Sequence, residues 1–399
     1  MTVPRITAVQ LGGSPALPLL VLGPSLGTSA RSLWSRCASG LTDRFEVLAW
    51  DLPGHGSNVG SAEPFTMAEL AAGVLEMVDD VVAQRDTFAS TFTYAGDSVG
   101  GAVGLQLLLD APARIDSAVL LSTGARIGEP DAWRTRAASV RASGTPSMIE
   151  GSAQRWFAPG FLEREPEVGA ALLRALRDAD DEGYALVCEA LAGFDVRDRL
   201  GEIEPRVLAV SGLLDVPTPP ADLAAIASGV RNGRLVVLDG VAHLPPAEQP
   251  AEVARLIRDH ANAGQAVAAP TTVAGVRDAG MAVRRAVLGD AHVDRATAAI
   301  TDLTADFQDF ITQYAWGSVW TRPGLDRRSR SLITLTALVA RGHHEELAMH
   351  VRAARTNGLT NDEIKELLLQ TSMYCGVPDA NAAYRIAQRV LDELDHPAY

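Results

Sequence analysis

The segment Gly96-Asp97-Ser98-Val99-Gly100 reads as G-x-S-x-G, set between the apolar run Phe92 to Tyr94 and a helical pattern that begins at Val99. A serine on a sharp strand-to-helix turn exposes its hydroxyl, and small neighbours relieve the crowding of that turn. A hydroxyl at its own pKa is a weak nucleophile, so acyl transfer also needs a base and a group to orient it, in the chain order Ser, acid, His. Asp215 in SGLLDVPTPP and His243 in DGVAHLPPAEQP each follow a strand-like run. Either one alone reads as an ordinary loop residue, whereas their joint placement points to nucleophilic catalysis by Ser98, His243 and Asp215. Attack creates an oxyanion that needs two donors. The Val99 N–H follows the nucleophile, and Ser25 or Leu26 in GPSLGTSARSLW is positioned to supply the second. His55 in DLPGHGSN is assigned a structural role, since the base is already accounted for.

The elements that must position these groups follow from the apolar pattern. Strand-like runs at 17–22, 45–50, 92–94, 119–122, 207–210 and 235–238 alternate with helical stretches, the signature of a mainly parallel sheet flanked by helices. Between 126 and 199 the strands stop and the sequence turns helical and rich in Arg, Trp and Phe, which reads as a helical lid. The small, nearly uncharged stretch 262–275 reads as a linker between a domain spanning 1–261 and one spanning 276–399. Beyond it the apolar positions recur only at helical spacing, and Thr360 with Glu363 forms a T-x-x-E helix start, so the second domain is expected to be all-helical.

Composition narrows the class. The chain has 399 residues, 47% apolar and 21% charged, with a formal net charge of −14. Net acidity argues against nucleic acid or an anionic membrane as partner, and any anionic ligand then needs a local Arg cluster. Three scattered cysteines make neither a disulfide framework nor a zinc site, and the start lacks an export signal, so a cytoplasmic enzyme is expected.

The blocks PSLGTSARSLW, DLPGHGSN, GDSVGG, LLDVPTPP and AHLPPAEQP make the first 260 residues similar to the α/β-hydrolase family, most of all its enol-lactonase branch. That resemblance implies the hydrolase fold, carries the triad onto Ser98, Asp215 and His243, and implies a lactone carboxylate as substrate. In the lid, Trp133, Arg134, Arg136, Arg141, Arg155 and Trp156 are available to meet it, with Arg134 or Arg136 expected to fork onto the carboxylate.

The last 125 or so residues resemble the carboxymuconolactone decarboxylase family through VRRAVLGDAHVDRA, the long block from Phe307 to Ala340, ELAMHVRAARTNGLT and YCGVPDANAA. Relatives with a C-x-x-C-x-x-x-H redox motif align with 343–350, where His343 and Glu346 replace both cysteines, so thiol redox chemistry is not expected. Glu346 and His350 lie four apart on one helix face. The resemblance makes His350 the candidate proton donor tuned by Glu346, with Arg322, Arg328 or Arg330 holding carboxylates. Tyr374 and Cys375 would line the pocket, and Trp316 and Trp320 would belong to a core or an interface. No further metal ligand accompanies His343, Glu346 and His350, and no cofactor motif is present, so neither metal nor cofactor is expected. The family also implies a homo-oligomer built through this domain. Together the resemblances imply a bifunctional enzyme that decarboxylates 4-carboxymuconolactone and hydrolyses the resulting 3-oxoadipate enol-lactone. The alternative is a general carboxylesterase or thioesterase carrying a helical oligomerisation domain.

Overall fold

The computed structural model describes residues 3–59, 63–85, 90–262, 272–322 and 324–395. The chain divides into two compact units, at 1–265 and 266–399. Among the described residues no helix is long and apolar enough to cross a membrane.

The first unit is built on a seven-stranded sheet: β1 (Thr7–Gly12), β2 (Leu19–Gly23), β3 (Glu46–Asp51), β4 (Phe92–Asp97), β5 (Ile115–Leu121), β6 (Arg206–Gly212) and β7 (Gly233–Leu238), in spatial order β1-β3-β2-β4-β5-β6-β7. All neighbours are parallel except β1, which pairs antiparallel with β3 and carries a register shift between Gln10 and Gly12. The sequence pattern anticipates six of these strands but not β1. It is an edge strand whose faces are only partly covered, so it lacks the continuous apolar run that betrays a strand buried on both faces.

Strands β2 to β4 are buried along their whole length. Trp34, Trp50, Tyr94 and the leucines of β2 fill the interior. Around the sheet stand α1 (Ala30–Ala38), α2 (Met67–Val82) and α3 (Val99–Asp110), with α9 (Pro220–Gly229), α10 (Pro245–Glu248) and α11 (Pro250–Asn262) closing the unit. Between β5 and β6 the chain leaves the sheet for five helices: α4 (Pro130–Ser143), α5 (Ile149–Trp156), α6 (Phe161–Arg164), α7 (Pro166–Arg177) and α8 (Asp181–Ala192). They occupy the segment read as a lid. Strand order reverses between β2 and β4, and the crevice beyond the carboxyl ends of such strands is where parallel sheets bind ligands.

The second unit contains no strand among its described residues. It comprises α12 (Val273–Leu288), α13 (Asp290–Ala298), α14 (Ala305–Ile311), a π-helical segment (Thr312–Trp320), α15 (Arg327–Ala340), α16 (His344–Thr356), α17 (Asn361–Cys375) and α18 (Val377–Asp395). Its core joins Leu335, Val339, Leu347, Val351, Leu368 and Val390, while Trp316 packs with Val287 and Ala353. Of the expected linker, residues 263–271 lie outside the described residues. Its two ends are helical: Asn262 ends α11, and α12 starts at Val273 because the Thr272 hydroxyl caps it by accepting the Gly275 N–H. The Thr360–Glu363 capping box is present at the start of α17.

Candidate active sites

Ser98 sits between β4 and α3 with φ 52°. A non-glycine residue there is strained by roughly 1–3 kcal/mol, which the surroundings must offset. They do so through the backbone: the Ser98 N–H donates to Leu121 O at 2.9 Å, and the Ser98 carbonyl accepts from Thr123 Oγ1 at 2.7 Å and Ala102 N at 3.0 Å. Glycine is required on both sides. A Cβ on Gly96 would lie 2.3 Å from the Gly100 carbonyl oxygen, and one on Gly100 would lie 2.5 Å from the Gly23 carbonyl carbon. The turn therefore packs directly against the end of β2.

His243 Nε2 lies 3.0 Å from Ser98 Oγ, and its Nδ1 lies 3.0 and 3.1 Å from the two Asp215 oxygens. Asp215 also accepts the Thr218 N–H at 3.0 Å and the Thr218 hydroxyl at 2.9 Å. All three side chains are buried. With Nδ1–H held by the carboxylate, Nε2 is left as the acceptor for the serine proton. Of the two donors proposed from the loop after β2, the Ser25 N–H is taken by Thr28 Oγ1 at 3.2 Å. Leu26 N–H has no partner among the described residues, and Val99 N–H, at the first position of α3, has no intrahelical acceptor. Asp97, fully buried under the turn, is held well above the usual carboxylate range by burial and then by the nearby Asp215 and Glu248. Glu248 accepts the N–H groups of Ala158 (2.8 Å) and Ala242 (2.9 Å), so it clamps the lid to the His243 loop and is not hydrogen-bonded to the imidazole. His55 stacks on Tyr184 with Nδ1 at 2.9 Å from Pro53 O, and burial pushes its pKa down to about 4.

A cavity of about 410 Å³ opens above Ser98 and His243, bounded by Leu26, Trp133, Met148, Trp156, Arg136 and Arg155 among others. Arg136 lies 5.6 Å from the Trp133 ring centre and 5.5 Å from that of Tyr184, and its Nε is buried without a partner. Arg155 is lowered by burial and then by the positive charge of Arg136. Neither guanidinium has an ion pair among the described residues, and both residues line the cavity that contains Ser98, as does Glu129. The expectation for Arg134 is corrected: it lies on the outer face of α4, exposed, and pairs with Asp131 at 2.6 Å. Arg141 is likewise spent on Glu182 and Glu189.

In the second unit, Glu346 is exposed on the first turn of α16 and His350 follows half-buried one turn later. His350 is lowered by burial first, raised by Glu346, and lowered by His292 of α13. His292 is itself lowered by burial, then by Arg295 and Arg284. Of the three arginines expected to hold carboxylates, Arg322 is exposed and its side chain has no partner among the described residues, while the other two are engaged elsewhere. Arg328 pairs with Glu363 and bonds Gly358 O, and Arg330 donates to Leu325 O (3.1 Å) and Arg322 O (2.8 Å), fastening its own loop. Arg330 has no ion pair among the described residues, but both of these bonds tie it to the main chain just ahead of its own helix. Tyr374 and Cys375 bound a separate cavity between α15 and α17, with Leu332, Thr336, Leu367 and Thr371. Neither His350 nor Glu346 lines it.

A model of the alpha/beta hydrolase family matches residues 20–256, and one of the carboxymuconolactone decarboxylase family matches 305–389. The first match covers more than half of the chain. The chain belongs to the alpha/beta hydrolase family, and its second unit to the carboxymuconolactone decarboxylase family. Over 238 residues it is 34% identical to 3-oxoadipate enol-lactonase 2 of Acinetobacter baylyi, covering 60% of this chain and 86% of that protein. Over 115 residues it is 50% identical to 4-carboxymuconolactone decarboxylase of the same organism, covering 29% of this chain and 86% of that protein. The crystal structure of an enol-lactonase from Burkholderia xenovorans superposes with TM-score 0.60 at 30% identity, over 64% of this chain and 96% of that one.

Within the hydrolase unit the structure brings Ser98, Asp215, His243, Val99, Leu26, Trp133 and Arg136 to one cavity or its floor. In the decarboxylase unit it separates Tyr374 from His350 and adds His292 and Arg284, which the sequence reading passed over. A signal for Arg284 existed: Val276, Gly280, Arg284 and Val287 share the inward face of α12, an Arg at a core position of an amphipathic helix.

Proposed function

We propose that the chain carries out two consecutive reactions, decarboxylation of 4-carboxymuconolactone in the second unit and hydrolysis of the resulting enol-lactone to 3-oxoadipate in the first. The observation that carries this reading is the presence, in one chain, of units whose relatives are named for reactions that share an intermediate. The cavity chemistry supports it, since a lactone with a carboxylate arm suits a serine hydroxyl facing Arg136 and Arg155.

In hydrolysis, His243 Nε2 takes the Ser98 proton as Oγ attacks the lactone carbonyl, and Asp215 stabilises the imidazolium. The oxyanion is received by the Leu26 and Val99 N–H groups. Ring C–O cleavage releases an enol that becomes a ketone, so the leaving group does not readily return. Water, activated by His243, then frees the acid from Ser98. In decarboxylation, the C–CO2⁻ bond breaks and its electron pair moves through the ring C=C onto the lactone oxygen, so the substrate is its own electron sink. His350, tuned by Glu346, delivers a proton to the α-carbon of the dienolate.

The second unit is further inferred to self-associate. Leu303, Phe307, Phe310, Tyr314, Met373, Tyr374 and Val377 are all more than half exposed, and burying such apolar side chains against a second copy would stabilise an assembly. Free Cys37, Cys188 and Cys375 fit a reducing, cytoplasmic setting. The reading is tested by incubating the intact protein with 4-carboxymuconolactone and identifying the products. Equimolar CO2 and 3-oxoadipate are expected, and an unchanged lactone would overturn it.

A further inference from the structure

Arg284 is 7% exposed, and its guanidinium donates only to neutral groups, Thr312 Oγ1 at 3.2 Å and Gln308 Oε1 at 3.1 Å, while Nε is buried without a partner. It has no ion pair among the described residues. Its neighbour Arg285 shows the ordinary alternative, pairing at the surface with Asp290 and Asp294. The backbone brings Arg284 to this position. A Cβ on Gly280 would lie 2.2 Å from Thr312 O and 2.7 Å from Gly317 N, so α12 and the π-helical segment pack main chain against main chain. One turn on, Arg284 is carried under the start of that segment. π-Helical turns are rare and concentrate at functional sites.

We propose that Arg284 is the anion receptor of the decarboxylase unit and that it takes the carboxylate which the substrate keeps. The proposal rests on the decarboxylase reading above and names the missing half of its site. A buried cation without a counterion is unfavourable unless an anion arrives to pair with it. Burial lowers Arg284 with no carboxylate opposing it, and its charge reaches His292, which in turn reaches His350. Val287 of α12 and Ala353 of α16 share one apolar cluster with Trp316, so the helices that carry Arg284 and His350 pack together. The departing carboxylate is a poor match for it, because a guanidinium there stabilises charge that the transition state gives up and so raises the barrier. The acetate-arm carboxylate keeps its charge throughout. Contact with it binds ground state and transition state alike.

That distinction sets the test. In the intact protein, Arg284→Gln should raise KM for 4-carboxymuconolactone by roughly 10- to 150-fold, the range for losing a charge-assisted hydrogen bond, with kcat changed less than about fivefold. A KM within twofold of wild type would overturn the proposal while leaving the decarboxylase reading intact. Binding is measured separately by calorimetry with 5-oxotetrahydrofuran-2-acetate, which has no ring carboxylate to lose, in the full chain carrying Ser98→Ala, Arg136→Gln and Arg155→Gln to silence the hydrolase cavity. Affinity should fall at least about tenfold when Arg284→Gln is added. Equal affinity, or no binding in either chain, overturns the proposal. Arg284-dependent binding without turnover would sustain the receptor and sink the decarboxylase reading. Arg284→Met guards against a folding artefact: removal of an uncompensated charge should leave the melting temperature unchanged or higher, whereas a fall of several degrees would mark a structural Arg and overturn the assignment.

Discussion

Asp215→Asn perturbs the hydrolase unit without changing its shape. Asp215 Oδ1 accepts the Thr218 N–H and Oδ2 the Thr218 hydroxyl, so the amide oxygen is drawn to the Oδ1 position, where an obligatory main-chain donor waits. The NH2 group then occupies the Oδ2 position, about 3.1 Å from His243 Nδ1. The NH2 group faces Nδ1 as a donor and competes with the amide oxygen 3.0 Å away at the Oδ1 position, so the imidazole is shifted toward the tautomer protonated on Nε2, the atom 3.0 Å from Ser98 Oγ. In that tautomer it cannot accept the serine proton, and the carboxylate that stabilised the imidazolium is gone. Loss of roughly 10⁴ in kcat is expected, equal to about 5.4 kcal/mol of transition-state stabilisation. The Thr218 N–H keeps its acceptor and the Thr218 hydroxyl can turn to accept from the NH2 group, so folding should be little affected. The assay is hydrolysis of purified enol-lactone followed by its ultraviolet absorbance, with circular dichroism as the control. Activity within a few-fold of wild type would refute the reasoning, because Glu248 is occupied by the Ala158 and Ala242 N–H groups and offers no replacement.

His350→Gln should lower CO2 release by roughly 10² to 10⁴ with Ser98-dependent hydrolysis intact, and a loss under about threefold would remove it from the mechanism. Because burial holds His350 below its ordinary pKa and the donor must be protonated, kcat/KM for decarboxylation should be level at the acid end and fall tenfold per pH unit above a pKa below 6.5. His55 and His260 are both pushed down to about 4 by burial, so the unfolded state binds more protons between about 6.5 and 4. Stability of the hydrolase unit should therefore be full above that window and decline as pH falls through it, and thermal melts across pH 4 to 7 that show no such decline would contradict this. Light scattering at micromolar concentration should give a multiple of the 42.1 kDa chain mass, and a fully active monomer would refute self-association.

What the sequence made legible was alternation and punctuation. Buried parallel strands such as Leu19–Gly23 and Arg206–Gly212 announce themselves as apolar runs, and the residues just beyond them, Ser98, Asp215 and His243, fall at the carboxyl edge of the sheet once those runs are read. Edge strand β1 carries no such run. Side-chain engagement was the other blind spot. Arg134, Arg136, Arg328 and Arg330 look alike as letters, but Asp131 and Glu363 claim two of them, and main-chain carbonyls of its own loop claim Arg330. Carbonyl partners leave no trace in a sequence. Arg284 was hidden by the opposite circumstance: its distinction is the lack of an acid nearby, which depends on the close approach that Gly280 and Gly317 allow.

The central claim is that two sites in one chain act in succession, and Ser98→Ala tests it most directly. Given 4-carboxymuconolactone, the variant has no nucleophile for the second step and nothing missing from the first. Magnetic resonance of the reaction mixture should show CO2 released at close to the wild-type rate, the enol-lactone accumulating in equal amount, and 3-oxoadipate appearing only as fast as the lactone hydrolyses unaided. Formation of 3-oxoadipate at the wild-type rate, or loss of CO2 release along with hydrolysis, would contradict the account.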